Sequence, residues 1–591
     1  MGEQMSEGVS GGRVRTEMSN VLVIGSGAAG LRAAIAAHEA GTEVVIVGKR
    51  LKKDAHTVLA AGGINAALGT VDPEDSWQQH FADTLREGYF LSDPRVVEIM
   101  AREAPQAINE LVEYGCPFAR TEGGELDQRF FGAHRYRRTC YAGDYTGRAI
   151  LYALFDKVEE LGIPVYGNRY VSRLLVHEGR CFGAFVFDLQ SGERTAYLAD
   201  AVVLAAGGHT RLWRRSSSRR DENTGDGMYL ALEAGCRLSD MELVQFHPTG
   251  MVYPEEWAGT LVTEAVRGEG GRLYNKDGER YMQRYDPKRL ELSTRDRVAL
   301  ANYREISEGR GTEHGGVLLD ISHRPKKYIL EKLPRMYRQF LETQMLDISR
   351  EPMEVAPTSH YSMGGVVVEP ETHATDVAGL YAAGEVTAGL HGANRLGGNS
   401  LSETVVFGRR AGEAAAAFSR ATEFQPRSRQ KIQAASDEND TYIKEGEEFA
   451  RPLQRTHRNA MWEGCGVVRA EEGLRETLGK LEEIKKAAED VDVRPDSEGY
   501  GDLAHALDLR ASLVAAEASL LGAAQRRESR GAHQRSDHPD LDPSLTVNLV
   551  ISKDDNGRLT VSREPVPPVP DHLRGWAEGD NEVEVAGRLL E

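Results

Sequence analysis

Short apolar runs alternate with small-residue turns in the stretch "NVLVIGSGAAGLRAAIAAHEAGTEVVIVGK". The β-branched run at 21–24 is continuous and short, which predicts a strand buried on both faces of a parallel sheet. The Ala-rich segment after it predicts a helix beginning near Ala28, and a second apolar run ends at Val47. The pattern therefore predicts the order strand, tight turn, helix, strand.

Glycines occupy the turn between the first strand and this helix. Gly25, Gly27 and Gly30 have the spacing G-x-G-x-x-G. In this motif the first glycine makes the turn, the second admits a pyrophosphate and the third packs helix against strand. A phosphate would lie on the helix N-terminus. We interpret the segment as a dinucleotide site rather than as a merely structural turn.

The end of the second strand indicates which dinucleotide binds. An NAD site usually has an Asp or Glu there for the ribose hydroxyls. This chain has Val47, Gly48 and Lys49 instead. The absence of an acid favours FAD.

Two later segments repeat this pattern of a short apolar run followed by glycines. The stretch "ADAVVLAAGGHT" (199–210) predicts another buried strand that ends in paired glycines. Residues 379–418 predict a strand, a glycine-rich loop and a long Ala-rich helix, with Ser400 as its N-cap. A sheet with glycine turns and no ligand explains each piece separately, but it does not explain all three in one chain.

Polar helices rich in Lys, Glu and Arg replace this pattern from residue 426 on. Leu474, Leu478, Leu481 and Ile484 form a core-facing helical stripe. No apolar run approaches the roughly 20 residues of a membrane span. The first 18 residues lack the apolar core of a signal peptide, so we expect a loose tail and a cytoplasmic protein.

Charge and cysteine content exclude other classes of function. The formal net charge of −19 over 591 residues argues against nucleic-acid binding. Five cysteines are scattered and odd in number, without the spacing of a metal site, an iron–sulfur cluster or a disulfide framework. We therefore expect no bound metal. These cysteines are Cys116, Cys140, Cys181, Cys236 and Cys465.

Nine ordered motifs between about residues 20 and 545 resemble the flavoprotein subunit of succinate dehydrogenase and fumarate reductase. They are "AHTVLAAGGINAALG", "QRFFGAH", "NTGDG", "VQFHPTG", "LVTEAVRGEGG", "STRDRV", "PTSHYSMGG", "HGANRLGGNSL" and "ESRGAH". The resemblance implies an α/β fold: a Rossmann-like FAD-binding domain interrupted by an α+β substrate-capping domain, then a helical domain and a small C-terminal segment. The expected boundaries are 1–18 (disordered tail), 19–242 and 357–424 (FAD-binding domain), 243–356 (capping domain), 425–540 (helical domain) and 541–591 (C-terminal segment).

The resemblance also implies the cofactor, FAD, and its attachment. In the family, the histidine of H-T-V forms a covalent bond to the 8α-methyl of the flavin, so His56 is the expected attachment point. The alternative is a surface or N-cap-like histidine beside Asp54. The other residues expected to contact FAD are Gly25, Gly27, Gly30, Lys49, Thr57, Gly62, Gly63, Asp226, Glu385, Ser400 and Leu401.

Succinate and fumarate carry two carboxylates, so a site for them needs cationic or donor groups at both ends. By resemblance, His247, His360 and Arg395 bind carboxylates and Thr263 adds a hydroxyl. The alternatives are core histidines with satisfied hydrogen bonds and an arginine in a structural ion pair. The expected walls of the site are Phe131 and Leu261.

The resemblance assigns proton transfer to Arg295. A guanidinium is an unusual acid because it is effectively always protonated in water. Glu264 and Arg267 lie three residues apart, on one face if that stretch is helical. We expect the chain Arg295–Glu264–Arg267 to pass the proton to solvent.

Electrons from the flavin require partners, because this chain lacks the cysteine pattern of iron–sulfur clusters. The resemblance implies an iron–sulfur subunit, membrane anchor subunits and a quinone, and hence a peripheral location on the cytoplasmic side of the cell membrane. Two rival interpretations remain: a soluble relative such as L-aspartate oxidase, which normally lacks the histidine at position 56, and a flavin-binding assembly protein without turnover.

Overall fold

The computed structural model describes residues 14–496 and 498–579. Its strands are β1 Arg15–Ile24, β2 Val44–Val47, β3 Ile64–Asn65, β4 Gln128–Arg129, β5 Thr139–Cys140, β6 Val165–Tyr166, β7 Arg169–His177, β8 Arg180–Asp188, β9 Arg194–Leu204, β10 Leu238–Ser239, β11 Val244–Met251, β12 Arg272–Tyr274, β13 Val317–Asp320, β14 Met353–Ser362, β15 Gly365–Val366, β16 Leu380–Ala382, β17 Val468–Arg469, β18 Gln534–Arg535, β19 Val547–Lys553 and β20 Leu559–Pro565. Its α-helices are α1 Ala28–Glu39, α2 Trp77–Glu87, α3 Pro94–Glu113, α4 Thr146–Glu160, α5 Asp226–Ala234, α6 Ala265–Gly268, α7 Met282–Tyr285, α8 Arg295–Glu305, α9 Lys326–Lys332, α10 Pro334–Gln344, α11 Asn399–Ala421, α12 Arg429–Tyr442, α13 Ala450–Gly464, α14 Glu471–Ala488, α15 Gly501–Gln525 and α16 Asp571–Glu578.

The largest sheet has the order β6-β2-β1-β9-β8-β7, with β16 also paired to β9. Strands β2, β1, β9 and β16 are parallel, so their carboxyl ends meet at one edge, where ligands bind in such sheets. Val21, Leu22 and Val23 are fully buried, and helices α1 and α11 pack against each other beside the sheet. The predicted strand at 21–24 and the helix beginning at Ala28 are confirmed.

A second sheet, antiparallel and ordered β11-β14-β13-β12, lies over this edge. It has its own apolar core, which includes Val317, Leu319 and Phe340. In its ladder His247 pairs with Thr358, two residues before His360. The pairing therefore delivers both histidines from neighbouring strands.

Two predicted boundaries differ from the elements. The predicted tail 1–18 is too long, because Arg15 already pairs with Thr195 and the β1–β9 ladder orders the exposed residues up to Met18; residues 1–13 lie outside the described residues. The boundary between 356 and 357 falls within β14, which stays in the antiparallel sheet because its ladder with β11 continues to Ser362.

Helices α13, α14 and α15 pack against one another after the FAD-binding part. Leu474, Leu481 and Ile484 are buried along α14, and Leu478, the fourth residue of the predicted stripe, is half-buried and packs against the same core. In the part of the chain that the structure describes, no helix has the length and apolarity needed to cross a bilayer. All five cysteines are buried and without a disulfide partner among the described residues.

Candidate active site

One long cleft lies where the carboxyl ends of the parallel strands meet the antiparallel sheet. About 1710 Å³ inside it is free of protein atoms, its open mouth included. Nearly all the residues predicted for FAD and substrate line this cleft; the exceptions are Gly30 and Arg267. The predicted residues that line it are Gly25, Gly27, Lys49, His56, Thr57, Gly62, Gly63, Phe131, Asp226, His247, Leu261, Thr263, Glu264, Arg295, His360, Glu385, Arg395, Ser400 and Leu401.

The turn after β1 has a backbone conformation and close contacts that require glycine. Gly25 has φ +116°, and a Cβ placed there would lie 2.1 Å from the Ala205 carbonyl oxygen. A Cβ at Gly30 would lie 1.9 Å from the Gly25 oxygen, so this third glycine allows close helix packing rather than ligand contact. The Thr57 hydroxyl accepts the Ala28 amide proton over 3.1 Å at the start of α1.

Two helix N-termini face the cleft, and they provide the fit for a dinucleotide. Gly27 caps α1 and Gly398 caps α11, and neither N-cap glycine has a side chain that could cap its helix, although the Thr57 hydroxyl takes the first amide of α1, that of Ala28. N-terminal amides of a helix without such a cap are suitable donors for phosphate or for an electron-rich ring. Small residues line the wall between them, so FAD fits the donors and the shape of this cleft.

Ser400 does not cap α11, contrary to the prediction. The helix begins at Asn399, with Gly398 in the left-handed region at φ +91°. The Ser400 hydroxyl instead accepts a hydrogen bond from Arg395 Nη1 over 3.1 Å. The physical reason is that Ser400 already lies within the first turn, where its side chain turns toward the arginine.

Lys49 is held by acids from two parts of the chain. Its ammonium lies 2.7 Å from Asp508 Oδ1 and 3.7 Å from Asp226 Oδ2. Tyr170 donates to the same Asp508 oxygen over 2.9 Å. Burial raises the pKa of Asp508 to about 6, against the effect of Lys49. Helix α15 thus reaches the cofactor end of the cleft through one carboxylate.

His56 begins a short 3₁₀ helix, His56–Leu59, at the side of the cleft. Its Nδ1 lies 3.2 Å from Glu222 Oε2. Burial opposes a charged ring, but Glu222 raises the pKa of His56 overall. Although burial opposes ionisation, His56 and Arg219 lower the pKa of Glu222 to about 2, so Glu222 is a carboxylate.

Glu385 lies in the cleft with its hydrogen bonds directed to the protein. It accepts the Ser362 amide proton over 3.0 Å and an Asn223 amide proton over 3.2 Å. Burial raises its pKa.

On the opposite wall, Gly62 lies so close to Phe131 that a Cβ would approach the ring to 2.6 Å.

Arg295 and Arg395 meet at the other end of the cleft. Arg295 Nη1 and Arg395 Nη2 donate to the same oxygen, Gln245 Oε1, over 3.1 and 3.0 Å. Burial, reinforced by Arg295, lowers the pKa of Arg395 to about 9. Two cationic groups are thus held side by side where an anion would neutralise them.

Glu264 lies behind Arg295 and receives its Nε proton over 2.6 Å. It also accepts the Gly132 amide proton over 2.9 Å. Burial opposes ionisation of Glu264, but Arg295 and Arg267 lower its pKa to about 2. Arg267 is 3.8 Å from Glu264 and fully buried, with Nη1 donating to the Glu291 carbonyl over 2.6 Å. Arg295 and Glu264 are therefore hydrogen-bonded, whereas Arg267 lies beside Glu264 at ion-pair distance, with its Nη2 lacking a hydrogen-bond partner among the described residues.

His247 and His360 face each other edge to face, with ring centroids 5.1 Å apart. His360 Nδ1 lies 2.8 Å from the Ser217 hydroxyl, and Thr249 donates its amide proton to His247 Nδ1 over 3.2 Å. Burial, followed by nearby cationic groups, holds the pKa of both histidines well below the usual value. Both rings are therefore neutral at pH 7.

The remaining predicted residues form walls. Phe131 and Thr263 are buried, whereas Leu261 is half-buried. The Thr263 hydroxyl accepts the Ala265 amide proton over 3.3 Å.

Comparison with known proteins identifies the family. A family model described as "FAD binding domain" matches residues 20–401, and one described as "Fumarate reductase flavoprotein C-term" matches residues 454–570. One subunit of the fumarate reductase (CoM/CoB) of Methanothermobacter marburgensis is 45% identical over 540 residues, covering 90% of this chain and 97% of that protein. The succinate dehydrogenase flavoprotein subunit of Rickettsia felis is 37% identical over 571 residues, covering 93% and 95%.

The chain belongs to the succinate dehydrogenase and fumarate reductase flavoprotein family. Among solved structures, Sdh1 of Mycobacterium smegmatis in complex with UQ1 is similar to it, with a TM-score of 0.86 and 40% identity over 96% of this chain and 97% of that one. Family membership confirms the resemblance read from the motifs, the FAD-binding fold and the helical C-terminal region.

Sequence reasoning missed four polar residues of this flavoprotein site. Gln245 was within reach, because it stands in "VQFHPTG" two residues before His247. Glu222 comes directly before the "NTGDG" motif and Asn223 is its first residue, so the motif could have indicated that both lie near the site. The motif gave no indication of their partners, His56 and Glu385. Asp508 is 459 positions from Lys49 and lies in an Ala- and Leu-rich helix without a local motif.

Proposed function

We propose that this chain is the flavoprotein subunit of a succinate dehydrogenase or fumarate reductase, which interconverts succinate and fumarate with FAD. One observation carries the proposal: Arg295 is paired with Glu264 in the same cleft as Arg395, His247 and His360. The arrangement offers donors for two carboxylates and a proton-transfer group between them. A flavin-binding assembly protein without turnover would not need this set.

The binding roles follow from charge. Arg395 lines the cleft as a cation, so its guanidinium can bind a carboxylate. His247 and His360, being neutral, bind as hydrogen-bond donors rather than as cations. Thr263 adds a hydroxyl, and Phe131 and Leu261 exclude water from the apolar middle of the substrate.

Arg295 holds the proton that is given to fumarate or taken from succinate. Glu264 accepts a hydrogen bond from Arg295 Nε over 2.6 Å, and once Glu264 has itself taken up a proton, this contact can return one to an Arg295 that has lost its own. Arg267 continues the row beyond Glu264. A free neutral guanidinium need not persist, because each transfer is coupled to the next.

FAD supplies hydride acceptance and donation when it is bound. The residues that would hold it are those at the N-terminal ends of α1 and α11, with Lys49, Asp226 and Glu385 near them. We propose further that the link between chain and flavin is covalent, through His56. Its position beside the small residues Ala60 to Gly63 supports this attachment.

The electron partners follow from what the chain lacks. Its cysteines are scattered, so an iron–sulfur subunit must receive or deliver electrons. We propose that this subunit joins membrane anchor subunits and a quinone, so the chain lies peripherally on the cytoplasmic side of the membrane. One relative is named for CoM/CoB and another was solved with UQ1, and each terminal partner can be tested with the assembled complex.

The first experiment measures the absorbance of the flavin-loaded chain at about 450 nm under anaerobic conditions, before and after a substrate is added. Succinate should bleach it and L-aspartate should not. Bleaching by aspartate alone would assign the chain to an L-aspartate oxidase-like activity. If neither substrate bleaches it, reoxidation of the dye-reduced protein by fumarate separates a reductase with a low flavin potential from a chain without turnover, which would overturn the proposal.

A further inference from the structure

Glu222 contacts the histidine proposed for flavin attachment, although it lies 166 positions away in the chain. The distance from Glu222 Oε2 to His56 Nδ1 is 3.2 Å. The Glu222 side chain is only 5% exposed, so water does not readily replace this hydrogen bond. No step of the succinate chemistry described above uses this carboxylate.

Arg219 fixes Glu222 in this position. Its Nε and Nη2 donate to the two carboxylate oxygens over 2.9 and 2.7 Å, a bidentate pair. Arg219 Nη1 also donates to Asp54 over 2.6 Å, which ties the arginine to the segment that carries His56. Arg219 therefore fixes Glu222 relative to the segment that carries His56.

A carboxylate at Nδ1 determines which imidazole nitrogen carries the proton. An ionised carboxylate accepts hydrogen bonds and donates none, so Nδ1 of His56 must carry the hydrogen. In the neutral ring this leaves the lone pair on Nε2. The hydrogen bond also limits rotation of the ring, as a carboxylate partner does for histidines that bind metals.

We propose that Glu222 is a positioning residue for covalent flavin attachment: it holds His56 with Nε2 as the nucleophile. This inference rests on the proposed function, within which His56 is the attachment point. The same carboxylate stabilises the positive charge that arises on the imidazole while Nε2 forms its bond. Arg219 supports it by holding both oxygens of Glu222.

The reaction balances with fumarate, a substrate in the proposed function, as the two-electron oxidant. A bond forms between His56 Nε2 and the 8α-methyl carbon, and one C–H bond of that methyl breaks. One proton leaves from the methyl and one from the imidazole, both to solvent. The electron pair of the C–H bond reduces the isoalloxazine, and fumarate then takes two electrons and two protons to become succinate.

The experiment compares full-length holoprotein of the wild type, Glu222→Ala, Glu222→Gln and Glu305→Gln. Covalent flavin is measured by fluorescence of the denatured chain on a gel, and non-covalent FAD by its release on acid precipitation. Glu305 is a matched control, because it is a buried glutamate whose carboxylate is paired with Arg310, with a pKa lowered to about 2, in the capping part of the chain.

Glu222→Ala should lower the covalent fraction at least about tenfold while total FAD stays near the wild-type value. Formate added during loading should restore part of the attachment, since a small carboxylate can occupy the space left at Nδ1. Glu222→Gln should be intermediate, because its oxygen still accepts from Nδ1 but carries no charge. Glu305→Gln should match the wild type.

The outcomes separate the two levels of inference. If the wild type bleaches with succinate but carries no covalent flavin, attachment at His56 is wrong and the role of Glu222 fails with it, whereas the succinate activity stands. If Glu222→Ala attaches flavin as fully as the wild type, only the role of Glu222 is wrong. If Glu222→Ala binds no FAD, Glu222→Gln decides: a wild-type covalent fraction refutes the proposal, and a reduced one supports it.

Discussion

Arg295 and Arg395 donate to a single acceptor, the side-chain oxygen of Gln245. Two guanidinium groups that share one oxygen are held at a fixed separation despite their like charges. The Gln245 amide group in turn donates to Asn394 Oδ1 over 2.8 Å, so its orientation is fixed from behind. The site is therefore organised for a dianion before any substrate arrives.

Gln245→Leu removes the shared acceptor while keeping a similar volume. We expect KM for succinate to rise about tenfold, because a lost hydrogen bond to a charged group is worth about 1.5 kcal/mol or more. FAD content should not change. Steady-state kinetics check this, with Gln454→Leu as control, since that buried glutamine donates to the His505 carbonyl in the helical region. An unchanged KM would mean that the arginines hold their positions without Gln245.

Arg295→Lys and Glu264→Gln interrupt the proposed proton row at different points. Turnover should fall by a factor of about 10² to 10⁴ in each, the range that general acid catalysis contributes. Lysine does not reproduce the Nε–H donated to Glu264, and glutamine carries no charge to stabilise Arg295. Fumarate reduction by reduced dye measures the loss. Full turnover in either variant contradicts the assignment, and normal FAD content in both excludes misfolding as the cause.

The pH dependence of substrate binding should come from Arg395 rather than from the histidines. The pKa of Arg395 is lowered to about 9, so this group loses its charge as pH rises through 9. KM for succinate should then rise, approaching tenfold per pH unit. Between pH 6 and 8, His247 and His360 stay neutral and should add no inflection. An inflection near pH 6.5 that disappears in His360→Gln would contradict this prediction.

Buried His457 should make the fold less stable in acid. Burial lowers its pKa to about 3, and its Nε2 has no partner among the described residues. In the unfolded chain the pKa of this histidine is about 6.5, so below that pH the unfolded chain binds a proton that the folded chain does not bind. The free energy of unfolding therefore falls as the pH drops below about 6.5. From pH 7 to 5 the loss is about 2 kcal/mol. Unfolding of His457→Gln at both pH values should lack this part of the change, and parallel curves for the two proteins would refute it.

Two helical glycines should respond oppositely to alanine. A Cβ at Gly479 on α14 has nothing within 4 Å, so Gly479→Ala should stabilise the protein by about 0.5–1 kcal/mol. A Cβ at Gly412 on α11 would lie 2.1 Å from the Ala33 carbonyl oxygen. Gly412→Ala should therefore separate α11 from α1 and lower the melting temperature. Thermal unfolding measures both, and equal effects would show that α1 and α11 pack less closely than described.

Features that depend on neighbouring residues were predictable from the sequence. The turn at Gly25 and the helix beginning at Ala28 follow from local spacing and sterics. Ser400 shows the limit of that reasoning, because local preference favours a cap while the buried Arg395 guanidinium takes the hydroxyl. Local propensity does not encode such competition for an acceptor.

Contacts between distant segments were not predictable from residue spacing. Glu222 reaches His56, and Asp508 reaches Lys49, only because the sheet edge gathers loops from separate parts of the chain. The family motifs placed the expected catalytic groups, but they carry no information about partners outside the motifs. The electrostatic setting of the site is therefore known only from the folded chain.

The burial of all five cysteines protects their thiols from the hydrogen peroxide that a reduced flavin can produce. Reduced flavins form hydrogen peroxide when they meet oxygen, and peroxide attacks thiolates rather than thiols. Burial raises the pKa of Cys116, Cys140 and Cys181 to about 12, so they stay protonated at neutral pH. The cysteine sulfurs of this chain are thus kept out of reach of the by-product, and a cysteine introduced at the surface would react with thiol-labelling reagents against almost no background.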